Sequence, residues 1–510
     1  MNPIRISGND LTYAELREVV YARRPVLVSG DAREQINAAR SVVNALVQNN
    51  TLAYAITTGV GKLSDVRIEP AQNRQLQLNL IRSHSVGVGE PLSIPETRAM
   101  MLLRANSLAK GYSGVRAELI DHLCEMLNRG VHPVVPSQGS VGASGDLAPL
   151  AHLALAMIGE GDAIYENARM ASSEALRRAG IKPLVPEAKE AISLINGTQA
   201  MLAVGTLALL QAETLADTAD VIGAMSLDAL HGTDVAFDER IHTARPHAGQ
   251  RKVAANLRRL IAGSQIRQSH VNCGRVQDAY SLRCIPQVHG AVRDTLEFCA
   301  RTFETEMNSA VDNPLVFVRN KEEAEGDVIS GGNFHGQPLA FALDYMAIAL
   351  SALAGISERR VERLVNPTLN EGLPPFLAGD AGLNSGFMMP QVVAAALASE
   401  NKVLAHPASV DSITTSGNKE DYVSMGMAAA LKLKKVVANT TNVLAIEACA
   451  AAQALDLLAP LKTSAPLAQA LAAIRKVSAK VENDRVLSGD IGQIGAAILE
   501  GSLARFLGAT

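Results

Sequence analysis

The sequence predicts a mainly α-helical protein, in which a bundle of long helices accompanies a smaller N-terminal part of mixed α+β structure. Three observations support this fold class. The chain has 510 residues, enough to bury a large hydrophobic core. Runs rich in alanine and leucine dominate after about residue 190, whereas β-branched segments and glycine-rich loops are concentrated before it. We therefore predict a mixed part at 1–195 and an elongated helical bundle at 196–510.

Local patterns predict the elements of the mixed part. Residues 25–28 are short and β-branched, as expected of a strand. Residues 131–138 form an extended, proline-containing approach to a glycine-rich loop. Pro95 suits the start of the first of three helices. These helices are predicted at 96–111, 114–128 and 147–159.

The second part is predicted to consist of long helices joined by mostly short loops. Their lengths exceed those of ordinary globular helices and are typical of bundles. Longer connections are expected only near 262–284 and 365–390. The main helices are predicted at 198–225, 338–364, 390–404 and 425–458.

One predicted helix is apolar enough to suggest a membrane span. Residues 339–356 are almost entirely apolar, interrupted by Asp344. The helical period continues directly into the charged segment 357–363, which a lipid-embedded helix would not favour. We therefore predict a helix in the core of a bundle and no membrane partner.

Composition excludes further classes of partner and site. The net charge of −4 and the absence of tryptophan argue against nucleic acid. The five cysteines are scattered without a C-x-x-C pair, so neither a disulfide framework nor a zinc site is predicted. The N-terminus lacks the apolar core of a signal peptide, and we expect a cytoplasmic protein.

The glycine-rich loop at 139–150, Gly-Ser-Val-Gly-Ala-Ser-Gly-Asp-Leu-Ala-Pro-Leu, is the most informative segment. It matches neither the dinucleotide fingerprint, nor a phosphate-binding P-loop, nor a serine-hydrolase elbow. If the Gly145 amide nitrogen attacks the Ala143 carbonyl carbon, the backbone closes into a five-membered ring. Loss of two waters, one of which carries the Ser144 hydroxyl, leaves an electrophilic methylidene. Glycine suits the strained geometry that this closure requires.

Together with several distant strings, this loop resembles the aromatic amino acid ammonia-lyases and aminomutases. The supporting strings are Tyr-Ala-Ile-Thr-Thr-Gly-Val-Gly at 54–61, Gln-Asp-Ala-Tyr-Ser-Leu-Arg at 277–283 and Gly-Asn-Phe-His-Gly-Gln-Pro at 332–338. The resemblance implies a fumarase/aspartase-like architecture and one catalytic unit. It also implies a 4-methylideneimidazole-5-one (MIO) group formed from Ala143, Ser144 and Gly145, without external cofactor or metal. The expected assembly is a homotetramer with shared active sites, acting on a small-molecule amino acid.

The resemblance assigns roles to further residues. Tyr54 is the expected base for the β-proton, which requires help because an ordinary tyrosine has a pKa of about 10. The guanidinium of Arg283 offers a planar fork to the substrate carboxylate. Asn196 is expected to seat the carboxylate and the MIO oxygen, although it could also cap the helix that follows. The remaining pocket residues are Gln277, Tyr280 and Phe334.

Two separate parts of the sequence indicate which amino acid is the substrate. The pair Ser83-His84 and the residue Glu420 resemble those of the histidine-specific members, and His84 and Glu420 could bind the two nitrogens of an imidazole. The implied reaction is the conversion of L-histidine into trans-urocanate and ammonia. Lys419 and Tyr422 depart from the histidine-specific string, so a tyrosine or phenylalanine lyase or aminomutase is the alternative. A catalytically silent helical scaffold is the distant one.

Overall fold

A computed structural model of the chain describes residues 2–271 and 273–508. It is mainly helical, which confirms the predicted fold class. The longer helices are Gly30–Gln48, Asn73–His84, Ile94–Ala109, Ala117–Arg129, Leu147–Met157, Gln199–Ala229, Ala248–Ile261, Ile285–Met307, Gln337–Val365, Met388–Leu404, Gly426–Leu457, Ala465–Arg475 and Ser488–Leu499. The shorter helices are Tyr13–Tyr21, Ser172–Ala179, Glu190–Ile195, Glu239–Ala244, Gln265–Ser269 and Tyr280–Arg283.

The strands are short and form small sheets. One parallel pair joins Ile4–Ile6 to Val26–Val28, with Ile4 opposite Val26. The other strand pairs of the described residues are antiparallel. They join Val88–Pro91 to Pro136–Gln138, His132–Pro133 to Asp162–Tyr165, Asp162–Tyr165 to Ala168–Ala171, and Leu315–Asn320 to Glu325–Ile329.

The predicted helices agree with the structure to within a few residues at each end. The helix expected at 425–458 is Gly426–Leu457, and that expected at 338–364 is Gln337–Val365. The strand expected at 25–28 is Val26–Val28. The hairpins within 162–171 and 315–329 were not predicted. Their strands are only four to six residues long, and their exposed positions hold both polar residues such as Arg169 and apolar ones such as Phe317, so they lack a strong apolar period.

The chain divides into two compact units, each assembled from three segments. Unit 1 comprises Met1–Leu207, Ala300–Leu343 and Pro407–Leu431. Unit 2 comprises Ala208–Cys299, Asp344–His406 and Lys432–Thr510. The division at residue 195, drawn from sequence character, stays a prediction.

Each unit has its own buried apolar cluster. In unit 1, Val42 and Val43 of helix Gly30–Gln48 pack with Ile56 and with Val316 of the long hairpin. In unit 2, alanine, valine and isoleucine side chains from three helices pack together. The members of the second cluster are Ala354, Val361, Ala394, Val443 and Ile446.

Within the part of the chain that the structure describes, two helices are long and apolar enough to cross a membrane by length and composition alone. They are Gln199–Ala229 and Gln337–Val365. Within their most apolar windows, 78% and 61% of the residues, respectively, are buried inside the protein. Such burial is typical of core helices in a bundle, as the charged continuation of the second helix predicted.

Candidate active site

The loop at 139–146 connects strand Pro136–Gln138 to helix Leu147–Met157 in unit 1. Gly142 and Gly145 have φ angles of 68° and 70°, a region that favours glycine. A Cβ atom on Gly145 would overlap the carbonyl group of Gly197, and one on Gly142 would overlap the Ser424 hydroxyl. Both glycines are therefore required by backbone conformation and by close packing.

Hydrogen bonds of Asp146 hold the C-terminal end of this loop in place. Its amide donates a hydrogen bond to the Gly197 carbonyl at 2.6 Å. Its carboxylate accepts hydrogen bonds from the Ser140 hydroxyl at 2.7 Å and from the Met201 amide at 2.8 Å. Burial raises the pKa of Asp146 to about 6, against the opposing effect of these donors. The tripeptide 143–145 is thus held at one end by a buried, hydrogen-bonded side chain.

Ser144 and Glu420 are in direct contact, although 276 positions separate them in the sequence. The Ser144 hydroxyl donates to Oε1 of Glu420 at 2.7 Å. Thr415 donates from its hydroxyl to Oε2 at 2.6 Å, and its amide donates to the Glu420 carbonyl at 2.9 Å. Because both carboxylate oxygens are engaged, the Glu420 side chain is fixed toward Ser144.

Tyr54 lies in the turn that follows residue 53, and the amide of Gly61 donates to its hydroxyl oxygen at 3.1 Å. A donor at this oxygen stabilises negative charge on it. The next residue, Ala55, has a φ angle of 57°, which is uncommon for a residue other than glycine. The 54–61 loop therefore presents the phenol oxygen together with a backbone donor.

Asn196 follows helix Glu190–Ile195 and is 4% exposed. Within the described part of the chain, its Oδ1 atom is buried and accepts no hydrogen bond. The possibility that this side chain caps the next helix therefore finds no support, because a cap must accept a backbone N–H. A buried amide oxygen without a donor is costly and points to a partner outside the protein.

One cavity of about 500 Å³ in unit 1 brings these groups together. It also brings in Phe334, from the segment before helix Gln337–Val365. The predicted site residues in its lining are Tyr54, Ala143, Ser144, Asn196, Phe334 and Glu420. Lys419 and Tyr422, which depart from the histidine-specific string, line it too. Gly145, itself buried, is not among the residues that line this cavity.

His84 is also absent from the described lining of this cavity. It is the last residue of helix Asn73–His84, and its Nδ1 lies 2.8 Å from the Leu80 carbonyl. Because a carbonyl only accepts, Nδ1 must carry a hydrogen there. In the neutral ring Nε2 then has its lone pair available to a donor. The role of His84 in substrate binding stays a prediction.

Gln277, Tyr280 and Arg283 belong to unit 2. Tyr280 begins the short helix Tyr280–Arg283 and is 71% exposed, and Gln277 is also exposed. The Arg283 guanidinium lies 4.7 Å from the centre of the Tyr280 ring. Among the described residues, Nε of Arg283 is buried without a hydrogen-bond partner. The functions of these three residues also stay predictions.

Sequence reasoning missed several supporting groups. Asp146 directly follows the tripeptide in a string already singled out, so its position was an available signal. No sequence signal pointed to Thr415 or to the Gly61 amide, because only the fold brings them to Glu420 and Tyr54. Arg104, inside helix Ile94–Ala109, is also among the missed residues. The structure shows that it is 0% exposed, which is rare for an arginine.

Comparison with known proteins identifies relatives that match nearly the whole chain. A family model described as aromatic amino acid lyase matches residues 11–476. The histidine ammonia-lyase of Koribacter versatilis is 69% identical, with 99% of each chain covered.

Solved structures are similar over nearly the whole chain. The histidine ammonia-lyase from Trypanosoma cruzi has a TM-score of 0.91 and 44% identity, covering 99% of this chain and 97% of that one. The tyrosine aminomutase from Streptomyces globisporus has a TM-score of 0.93 and 36% identity, covering 99% and 98%. Matches of this extent show that the chain belongs to the aromatic amino acid lyase family.

Proposed function

We propose that this chain deaminates L-histidine without oxidation and releases trans-urocanate and ammonia. The observation that carries the proposal is the contact between Ser144 and Glu420 in a cavity that Tyr54 also lines. Support also comes from the histidine ammonia-lyase of Koribacter versatilis, which is 69% identical over nearly the whole chain.

The residues present fit a self-formed electrophile at 143–145. Gly145 packs so closely on Gly197 that no other residue would fit, and Ser144 lines the cavity. The unpartnered Oδ1 of Asn196 leaves a polar position beside this tripeptide. When formed, the MIO group would supply an electron-poor carbon that turns the substrate amine into a better leaving group. No external cofactor is needed for this chemistry.

The side chains around the tripeptide can handle the proton and the charges of an elimination. Tyr54 is the proposed base for the β-proton, and the Gly61 amide supports the negative charge that its oxygen must carry. Asn196, Arg283, Gln277 and Tyr280 are the proposed binding groups for the amine and carboxylate.

Recognition of the imidazole is proposed for Glu420 and His84. Oε1 of Glu420 is occupied by the Ser144 hydroxyl in the unmodified chain. Loss of this hydroxyl during ring formation would free Oε1 to accept an N–H from the substrate. The lone pair on Nε2 of His84 would accept the second N–H that the substrate side chain carries as an imidazolium.

We further propose a homotetramer with shared active sites, located in the cytoplasm. Phe298, Tyr345 and Ile348 of unit 2 are 46%, 43% and 46% exposed and line an apolar groove. Burial of such a surface between copies would stabilise an assembly. The exposure of Tyr280 suits a residue that completes a neighbouring site. No nucleic acid or membrane partner is proposed.

The test combines an intact-mass measurement with a substrate panel. Ring formation makes the polypeptide two waters lighter than its sequence predicts. The purified protein should show this loss and should form urocanate from L-histidine. An unmodified Ser144 in an enzyme that still deaminates would overturn the proposal.

The alternative function is a lyase or aminomutase acting on tyrosine or phenylalanine. It is favoured by Lys419 and Tyr422 in the cavity wall and by the likeness to a tyrosine aminomutase. Products from L-tyrosine and L-phenylalanine, including β-amino acids, therefore belong in the same panel. Turnover of these substrates without urocanate formation would establish the alternative.

A further inference from the structure

Arg104 is wholly buried in helix Ile94–Ala109, and its guanidinium contacts the segment that carries Asn196. One terminal nitrogen, Nη1, donates to the Asn196 carbonyl at 3.0 Å and to Oε1 of Gln199 at 2.7 Å. The other, Nη2, donates to the Ser193 carbonyl at 2.5 Å. All three acceptors are neutral, and burial lowers the pKa of Arg104 to about 10.

The guanidinium also packs against Gly197. A Cβ atom at Gly197 would overlap Nη1 of Arg104. The Gly197 carbonyl accepts the Asp146 amide and leaves no room for a Cβ atom on Gly145. The backbone of Asn196 and Gly197 therefore contacts both a buried cation and the loop that carries residues 143–145.

The positive charge of Arg104 has no carboxylate among the hydrogen-bond partners given above. The nearby Asp312 forms a buried ion pair with Lys189 at 2.8 Å, so its own charge is already matched. Burying a cation among neutral acceptors is costly. Arg104 differs from an ordinary buried arginine in the place of its acceptors, because one of them is the carbonyl of Asn196, which lines the 500 Å³ cavity.

We propose that Arg104 is a positioning residue, which clamps the Asn196–Gly197 peptide against residues 143–145. The clamp holds the tripeptide closed for ring formation and holds the Asn196 amide in place for the substrate carboxylate. This inference rests on the proposed function, because it concerns maturation and binding at that site. Arg104 touches neither the substrate nor the reacting atoms.

The same helix provides a matched control. Arg98 is 2% exposed, donates to the carbonyls of Val19, Val20 and Leu127, and also contacts His132. Burial lowers its pKa to about 10 as well. None of its partners lines the 500 Å³ cavity. Substitutions at Arg98 thus reproduce the cost of disturbing a buried guanidinium without disturbing the Asn196–Gly197 peptide.

The experiment compares R104M and R104K with R98M and R98K in the full chain. After cell-free synthesis, samples taken over time are analysed by mass for the share of chains that have lost two waters. We expect R104M to lose them at least about tenfold more slowly than R98M, because small misplacements of reacting groups have large kinetic effects. R104K should mature faster than R104M, because lysine restores a charged donor but not the planar fork.

Steady-state kinetics per matured chain provide the second measurement. R104K should raise KM for L-histidine about tenfold with a smaller change in kcat, because carboxylate binding depends on Asn196. R98K should leave both near wild type. If R104M does not fold, R104K decides the question by the same two measurements.

Two results would overturn the inference. Loss of two waters at the wild-type rate in the folded Arg104 variants, with unchanged KM, would leave Arg104 a purely structural residue. Equal slowing in the Arg98 and Arg104 variants would lead to the same conclusion. If the wild-type chain itself never loses two waters, the proposed function fails, and this outcome is separate from the first two.

Discussion

The two units each contain a large cavity, and the two cavities differ in the side chains that line them. The cavity of unit 1, about 500 Å³, is lined by Tyr54, Ser144 and Glu420, and Ser144 belongs to the loop in which Gly142 and Gly145 have positive φ angles. The groove of unit 2 is larger, about 980 Å³, but its walls are mostly apolar side chains such as Phe298 and Ile348. Volume alone would select the wrong one of these two cavities.

The contrast shows that convergent polar groups, rather than size, identify a site of chemistry. In unit 1, a hydroxyl, a carboxylate and a phenol meet around backbone that only glycine can adopt. In unit 2, the groove offers apolar area with few charged groups, as expected of a surface that another protein covers. Substitutions in the two cavities should therefore have different kinds of effect.

The largest effect is expected for Ser144→Ala. Without the hydroxyl no methylidene can form, so turnover should fall by at least about 10³-fold while the fold persists. Intact mass should equal the sequence mass, without loss of water. Ser64→Ala, at another hydroxyl in the lining, is the control and should retain activity. Appreciable turnover by Ser144→Ala would refute the assignment of the unit 1 cavity.

The next effect is expected from Ile348→Asp in the groove of unit 2. A carboxylate buried in an apolar interface costs several kcal/mol, which should weaken self-association by at least about 10²-fold. Analytical ultracentrifugation should show smaller species, and activity should recover at high protein concentration. Leu52→Asp, at an exposed position of unit 1, is the control. An unchanged assembly would remove the groove from the proposed interface.

Tyr54→Phe tests the proposed base separately from ring formation. Removal of a general base costs about 10²–10⁴-fold in kcat. The chain should still be two waters lighter, because Tyr54 is not part of the tripeptide. Tyr112→Phe, another half-buried tyrosine of unit 1, serves as the control. Retention of full kcat by Tyr54→Phe would assign proton removal to another group.

The sequence predicted the helical framework well, because long alanine- and leucine-rich runs leave little ambiguity. The helix expected at 390–404 is Met388–Leu404. The sequence did not predict the hairpin of Leu315–Asn320 and Glu325–Ile329, since these strands are stabilised by pairing with each other. Only Val316 of this hairpin enters the unit 1 apolar cluster as a fully buried residue.

At the site, the sequence predicted residue identities but not contacts. The motif around Ser144 named the tripeptide, yet nothing in it pointed to Thr415 or to the Gly61 amide. Likewise, Arg104 lies 92 positions from Asn196. Such contacts arise from tertiary packing, which local patterns do not encode.

Glu420→Gln should have a moderate effect that concerns substrate choice. A hydrogen bond to a charged group contributes about 1.5–3 kcal/mol, so kcat/KM for L-histidine should fall about 10–100-fold. The amide can still accept from Ser144, and maturation should therefore remain complete. Asp421→Asn changes a neighbouring carboxylate of the same cavity and is the control. Equal losses on histidine and phenylalanine would argue against imidazole recognition by Glu420.

The smallest effect is expected for Lys419→Gln, which introduces the glutamine found at this position in the histidine-specific string Asn-Gln-Glu-Asp-His. Lys419 lines the cavity but is exposed, so water and salt screen its charge. Exposed charge interactions contribute at most about 1 kcal/mol, and KM for L-histidine should therefore change less than about fivefold. The change should shrink further when KM is measured in high salt. A larger, salt-independent change in KM would mean that Lys419 contacts the substrate directly. The specificity of the unit 1 cavity would then depend on a residue that departs from the histidine-specific string.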